Sequence, residues 1–376
     1  MFINYNSLYA LASTNMPPYL EDRIFNAKKR FDLDEEDDCL KLINYYLDLY
    51  GTDLEMESNK SYTFQNAYRS KHIVITWLIG YSLGKFNKLF EKIGDETMHD
   101  WSDKIWMYTA LVHDYGYFCK QTTKTKSIEE IQHPHYLLSD DISFFSLPDT
   151  MRDFSENHPS YFTYSYDQIK KYYAYSINYH ERTGASYDGE MADHGIVGSC
   201  IAFREYCKKY AKHYNTARYV HYRFKTKLYE PVMYKAACIV AASHNIYKSS
   251  SKEDDEYYRR YDLEFLCHNS EFVITADNPL LLLLSIVDPI ECCKRFSKSK
   301  NSKSYLQSKT VLSNIMVMVN DDEIIVDYAL LAKLVSAKSN VMLDDLEKHV
   351  NNVVGLNTWT CLRTHKINDF AISIRI

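Results

Sequence analysis

The sequence predicts a mainly α-helical protein with a small α/β appendage at its C-terminal end. Three observations carry that expectation. Only 10 Gly and 8 Pro occur among 376 residues, below the usual roughly 7% and 5%, and so few chain breakers favour long helices over a many-turned sheet protein. Apolar residues recur at helical spacing through most of the chain before position 300. Strand-like patterns occur only after the Ser/Lys-rich stretch SKSKNSKS at 297–304.

The elements follow in order. The acidic run Asp32 to Asp38 leads into LKLINYYLDLY, a helix whose acids suit an N-terminus and otherwise read as a solvated face. Ala67 to Phe90 is apolar almost all round, as expected of a helix buried in a bundle. A helix from Trp101 to about Asp114 stops near Gly116. Thr122 to Ser160, polar and Pro-containing, reads as a loop or short-helix insertion. Helices are expected at Tyr166 to His180, Asp193 to Tyr210 and Pro231 to His244, with SSSKEDDEYYRR (249–260) as a surface loop. Asn278 and Pro279 signal the start of a helix running from Leu280 to about Phe296. Beyond the linker, IMVMV and EIIVDY flank Asn320 to Asp322 as a hairpin does, helices follow to Val354, and AISIRI closes the chain as a strand. The expected division is 1–300 and 301–376.

Hydrophobic residues at 46% and charged ones at 25% exclude wholesale disorder and rod-like architectures. The net charge of −6 excludes a global basic field of the kind that wraps nucleic acid, and the best local basic stretch is Lys208 to Lys227. The longest apolar run, Leu280 to Val287, is far short of the ~20 residues of a membrane span. Nine cysteines with no metal-type spacing, and an N-terminus without signal-peptide character, point to a reduced, cytoplasmic protein without membrane insertion.

Chemistry is concentrated in His72, the pair His113 and Asp114, His194, His244 and Asp288. Each block sits on an otherwise apolar helix, where a lone ionisable group is costly to bury. One such residue reads as a hydrogen-bonded core His. Five blocks on five apolar helices are satisfied together by metal ions. Adjacent residues on a helix point about 100° apart, so His113 and Asp114 reach a common centre only just beyond the helix end, or with two metals between them.

The order His, His-Asp, His, His, Asp resembles the HD superfamily of metal-dependent phosphohydrolases. LVHDYGYF, ADHGIVG, AASHN and LLLLLSIVDPIECCKRF are similar to motifs of a branch with His-Asp-x-Gly-Tyr, Asp-His-Gly and His-Asn signatures. The likeness covers roughly 65–297 and not the tail. It implies an HD-type helical bundle in which His72, His113, Asp114 and Asp288 hold one metal and Asp114 bridges to a second held by His194 and His244. Tyr117 departs from those HD proteins that carry Lys at the matching position, so the resemblance does not imply a Lys-assisted mechanism, and Tyr117 is a candidate substrate contact. The block around His180 is similar to a His-His-Glu element of a sister branch, which makes His180 a candidate proton donor beside catalytic Asp114 and His194. Arg295, seven residues after Asp288, is expected on the same helix face toward a substrate phosphate. Asp193 either orients an imidazole or caps its helix.

Imidazoles and carboxylates without thiolate suit two divalent ions of Mn, Fe, Ni, Co or Zn. The expected activity is hydrolysis of a phosphoester or phosphoanhydride in a small nucleotide-like substrate, cyclic or linear. The alternatives are a nuclease on DNA or RNA, a di-iron oxygenase on the same fold, and a non-catalytic metal-containing regulatory module. The tail is a candidate surface for a partner or for a homo-oligomer.

Overall fold

The computed structural model describes residues 32–49, 69–86, 105–116, 164, 166–183, 193–196, 198–199, 202, 229–246, 248–249, 252–270, 279–296, 305–320, 323–354, 366–367 and 370–375. Within them the fold is mainly α. In chain order the elements are α1 (Glu36–Leu49), α2 (Arg69–Tyr81), α3 (105–112), α4 (Tyr166–Thr183), α5 (Tyr229–Ser243), α6 (Lys252–Arg260), α7 (Pro279–Ile290), α8 (Cys293–Phe296), α9 (Ser308–Leu312), β1 (Met316–Val319), β2 (Glu323–Asp327), α10 (Ala329–Ser336), α11 (Asn340–Val354), β3 (Lys366–Ile367) and β4 (Phe370–Arg375).

The centre of the body is α2, buried continuously from Ser70 to Gly80. It packs against α1, α7 and α8, so no face is left for solvent, as its all-round apolar sequence requires. After Tyr81 its pitch widens into a π turn, Ser82–Phe86. Trp106 locks α3 onto it: the indole donates to the Trp77 carbonyl at 2.9 Å, and the ring lies where a Cβ on Gly80 would sit. Gly80 is there because a ring fills the space. From this lock α3 runs antiparallel to α2. Seven residues on from Trp106 and eight back from Gly80 each rise about 10–12 Å, which carries His113 to His72.

Two charged segments depart from the sequence expectation. The acidic run before α1 is more than a solvated face. Asp38 is fully buried and accepts the Asp32 amide, and Asp34 accepts the Ser308 amide at 2.7 Å, tying this end of the chain to α9. The expected surface loop at 249–260 is largely a helix, α6. Its acids lie in the first turns and Arg259 and Arg260 in the last, complementing the helix dipole. Asp262 in the left-handed region (φ 53°) ends it, with Leu263 N to Tyr258 O and Asp262 N to Arg259 O closing the cap.

The helix expected from 280 to 296 is two helices. Pro279 opens α7, where its missing N–H costs nothing. Pro289, inside α7, removes a hydrogen bond near its end, and the chain turns at 291–292 before α8.

The C-terminal segment contains the expected hairpin and terminal strand in a four-stranded sheet of order β1-β2-β4-β3. β1 and β2 pair antiparallel, with Val317 opposite Val326. β2 and β4 run parallel, with Ile325 opposite Ser373, so α10 and α11 lie in the crossover that a parallel pair needs. This segment shares the hydrophobic core of the helical body through Leu306, Val311, Leu331, Leu346 and Val350. Tyr328 donates its hydroxyl to the Ile290 carbonyl at 3.1 Å, across the boundary expected at 300.

Candidate metal centre

Among the described residues two ligand groups stand side by side. His72, His113 and Asp288 form the first, and Asp114, His194 and His244 the second, the donor atoms of each lying within 4.8 Å of one another. The six residues are those that the sequence singles out. They come from α2, the turn after α3, the segment at 193–199, the turn after α5, and α7. His113 and Asp114 sit in a turn just past the end of α3, and the pair divides, one residue to each group.

Glycines set the spacing of the second group. A Cβ on Gly116 would lie 2.0 Å from the His194 carbonyl oxygen, and one on Gly198 would lie 2.3 Å from the Gly116 nitrogen. The two backbones cross in contact there, and this brings His194 Nε2 to 3.1 Å from Asp114 Oδ1. Gly116 serves that close approach.

The imidazoles are oriented from behind. His113 Nδ1 meets the Ala110 carbonyl at 2.7 Å, His244 Nδ1 meets the Ala241 carbonyl at 2.5 Å, and His72 Nδ1 meets Glu291 Oε2 at 2.6 Å. Each acceptor assigns the proton to Nδ1 and leaves the Nε2 lone pair facing the centre, the arrangement typical of metal-ligating histidines. The rings of His72 and His113, His113 and His244, and His194 and His244 stand edge to face at centroid separations of 5.3 Å.

The ionisation states fit the same use. Burial pushes His113 down to about 4 despite the attraction of Asp114 and Asp288, and burial together with His194 lowers His244. Both are neutral donors at neutral pH. Burial opposes the charge on Asp114, but Arg69, His113 and His194 overcome it and hold the carboxyl well below the usual range. Asp288 is held down in the same way, against burial, by Lys294 and His72. His72 differs: burial and Lys294 work against protonation, but the bonds to Asp288 and Glu291 prevail and raise it, so its Nε2 faces Asp288 with a proton that a metal would have to displace. This collection of lone pairs and carboxylate oxygens, without thiolate, fits divalent transition metals.

The centre has a closed floor and an open rim. His72 and His113 are 1% and 0% exposed, whereas Asp288 is 23% and His194 15% exposed at the side chain. Among the described residues two cations stand on that rim: Arg69 donates to Asp114 Oδ2 at 2.9 Å, and Lys294 lies 3.4 Å from Asp288 Oδ1.

Asp193 caps its helix, accepting the Ile196 amide at 2.9 Å. Asn245 places its amide 3.1 Å from His194 Nε2, and its own carbonyl accepts the Tyr172 hydroxyl. Arg295 is not one helix face away from Asp288, because the turn at 291–292 intervenes, and Lys294 of α8 is the residue that meets Asp288. Tyr117, the His180 side chain and the basic stretch 208–227 lie outside the described residues.

Sequence reasoning misses Arg69, Glu291 and Lys294. Arg69 precedes His72 by three residues and so shares its helix face, and Glu291 is a carboxylate closing an apolar run three residues after Asp288. Those spacings were the available signals. No helix among the described residues is long and apolar enough to cross a membrane.

Comparison with models of known protein families, with curated proteins and with solved structures finds no match. The helical framework and its His/Asp cluster are compatible with an HD-type fold.

Proposed function

We propose that this chain is a metal-dependent phosphohydrolase of the HD type, acting on a phosphoester or phosphoanhydride bond in a small nucleotide-like substrate. The observation that supports it most is the pair of adjoining two-His-one-Asp groups, with three of the four imidazoles oriented by acceptors at Nδ1. His72, His113 and Asp288 would hold one ion; Asp114, His194 and His244 would hold the other. Two bound divalent ions supply a water acidified to a nucleophile at neutral pH and neutralise phosphoryl oxygens.

The chain's own residues do the rest. Asp114 and Asp288 offset about half the charge of two such ions, which leaves a site that favours an anion. Arg69, at the rim and hydrogen-bonded to Asp114, brings a positive charge to the side of the centre where a phosphate oxygen would lie. Lys294 adds a second positive charge beside Asp288. The buried floor formed by His72 and His113 excludes water from one side of the centre. The net charge of −6 favours a small substrate over a long nucleic acid.

The test is elemental analysis of the purified protein together with phosphate and nucleoside release from mononucleotides, cyclic dinucleotides and a long single strand across a salt series. The expected result is close to two transition-metal ions per chain, with hydrolysis of small nucleotides and a shallow salt dependence. Preference for the long strand with a steep salt slope would replace the small-nucleotide reading by the nuclease. Oxygen uptake by iron-loaded protein without phosphate release would replace it by the oxygenase.

A further inference from the structure

Glu291 belongs to neither ligand group, yet it is fully buried and the turn around it aims it at one ligand. Its two oxygens are divided. Oε1 accepts the Cys293 amide at 2.5 Å and so caps α8, while Oε2 accepts the Nδ1 proton of His72 at 2.6 Å. The carbonyl immediately before it, on Ile290, is held by the hydroxyl of Tyr328, a fully buried residue directly preceding α10 in the C-terminal segment. His349 of α11 stands edge-on to that phenol at 5.6 Å between centroids. A continuous path therefore runs from the C-terminal segment through Ile290 and Glu291 to His72.

We infer that Glu291 is the positioning residue of the first ligand group, fixing His72 with its proton on Nδ1 and its Nε2 open to a metal, and that Tyr328 holds the turn that aims it. The inference rests on the metal-dependent reading above. A carboxylate behind a ligating imidazole fixes the ring and strengthens it as a donor, and losing such a partner typically costs 10–100-fold in metal affinity.

Gln at position 291 cannot reproduce this. With its amide oxygen toward His72, its NH2 opposes the Cys293 N–H. With its NH2 toward His72, the imidazole must accept at Nδ1 and carry its proton on Nε2, where the metal would bind. Tyr328→Phe is a gentler perturbation that removes one hydroxyl from the Ile290 carbonyl.

The experiment is a titration of the full-length chain with Mn2+ alone, counting free ion by electron paramagnetic resonance, for the wild type, Glu291→Gln and Tyr328→Phe. Each is repeated in a His244→Ala background that disables the second group, and thermal unfolding is followed in parallel. The wild type is expected to bind two ions. Glu291→Gln should weaken one of them about 10–100-fold and leave the other unchanged, and Tyr328→Phe should weaken the same ion by a smaller factor. In the His244→Ala background the affected ion should be the one that remains. Unchanged affinities in both variants, or equal weakening of both ions, would overturn the positioning role while the metal-dependent reading stands. A wild type that binds no Mn2+ would overturn that reading itself. Should Glu291→Gln fail to fold, Tyr328→Phe decides, and an unaltered first ion in that variant overturns the inference.

Discussion

The Nε2 atoms of His72 and His113 face each other at 3.4 Å, and the Nδ1 of each ring is engaged elsewhere, with Glu291 and with the Ala110 carbonyl. Two ring nitrogens so placed need a proton or a metal cation beside them, and Asp288, 2.9 Å from His72, supplies the third donor for a metal. The second group is built from different residues. Each group should therefore empty separately: His72→Ala should lose one ion, and His244→Ala the other, with about one ion per chain left in each by elemental analysis. Loss of all metal in both variants would show a single shared centre.

Arg69 holds Asp114 at 2.9 Å while remaining 25% exposed at the rim. Arg69→Gln keeps hydrogen-bonding capacity but removes the charge. A hydrogen bond to a charged group is worth about 1.5–3 kcal/mol, so kcat/KM on a phosphorylated substrate should fall roughly 10- to 100-fold while the metal content stays at the wild-type level. An unaltered kcat/KM would assign Arg69 to holding Asp114 alone.

The backbone crossing of Gly116 and Gly198 leaves no room for a methyl group. Gly116→Ala should push the His194 segment away from Asp114 and reduce the affinity of the second ion at least tenfold, with a lowered melting temperature. Mn2+ titration and calorimetry read the two effects separately.

His349 is buried behind α7, and burial, with Lys294 adding to it, lowers its imidazole to about 3 from an ordinary 6.5. The unfolded chain takes up this proton below pH 6.5 and the folded chain does not until about pH 3. Stability is therefore complete above 6.5 and falls as the pH drops through that window, by at most about 1.4 kcal/mol per pH unit. At pH 5 the loss is about 2 kcal/mol from this residue. Urea unfolding of the wild type and His349→Gln at pH 7.5 and pH 5 checks it: the variant should show the smaller pH dependence, and equal slopes would count against a buried neutral His349.

Removal of residues 305–376 takes α9 and α11 away from α7 and α8, whose buried apolar residues include Ile290 and Phe296. Each fully buried side chain of this size contributes about 1.5–3 kcal/mol. The truncated chain should precipitate or unfold at markedly lower temperature, measured by solubility and circular dichroism. A soluble, metal-binding truncation would show that the helical body closes without the segment.

The site was legible in the sequence because its ligands interrupt apolar helices. His72, His244 and Asp288 each stand out against residues such as Ile73, Ala242 and Val287, for which burial is ordinary. Arg69 and Glu291 were not legible, because charged residues at helix ends are usual in any sequence. Only the packing of α2 against α7 and α8 shows that these two face the centre. The same holds for α6, whose charged face reads as a loop until its dipole and left-handed cap are seen together. Arg295 illustrates the opposite error, since a seven-residue spacing marks one face only while the helix continues, and Pro289 followed by the Glu291 turn ends it.

The six donor residues lie on five segments separated by 41, 80, 50 and 44 residues (72 to 113, 114 to 194, 194 to 244, 244 to 288). Contacts of such long sequence separation form late, because loop closure must be paid before they return anything. The complete donor set thus exists only in the finished fold, and ions that bind it select that state from all partly folded ones. At an ion concentration 100 times its dissociation constant, each would add about 2.7 kcal/mol to the native state. Cellular metal supply would then govern how long the chain survives proteolysis as well as whether it turns over a substrate, and starvation for the metal would shorten its lifetime before any inhibitor reached it.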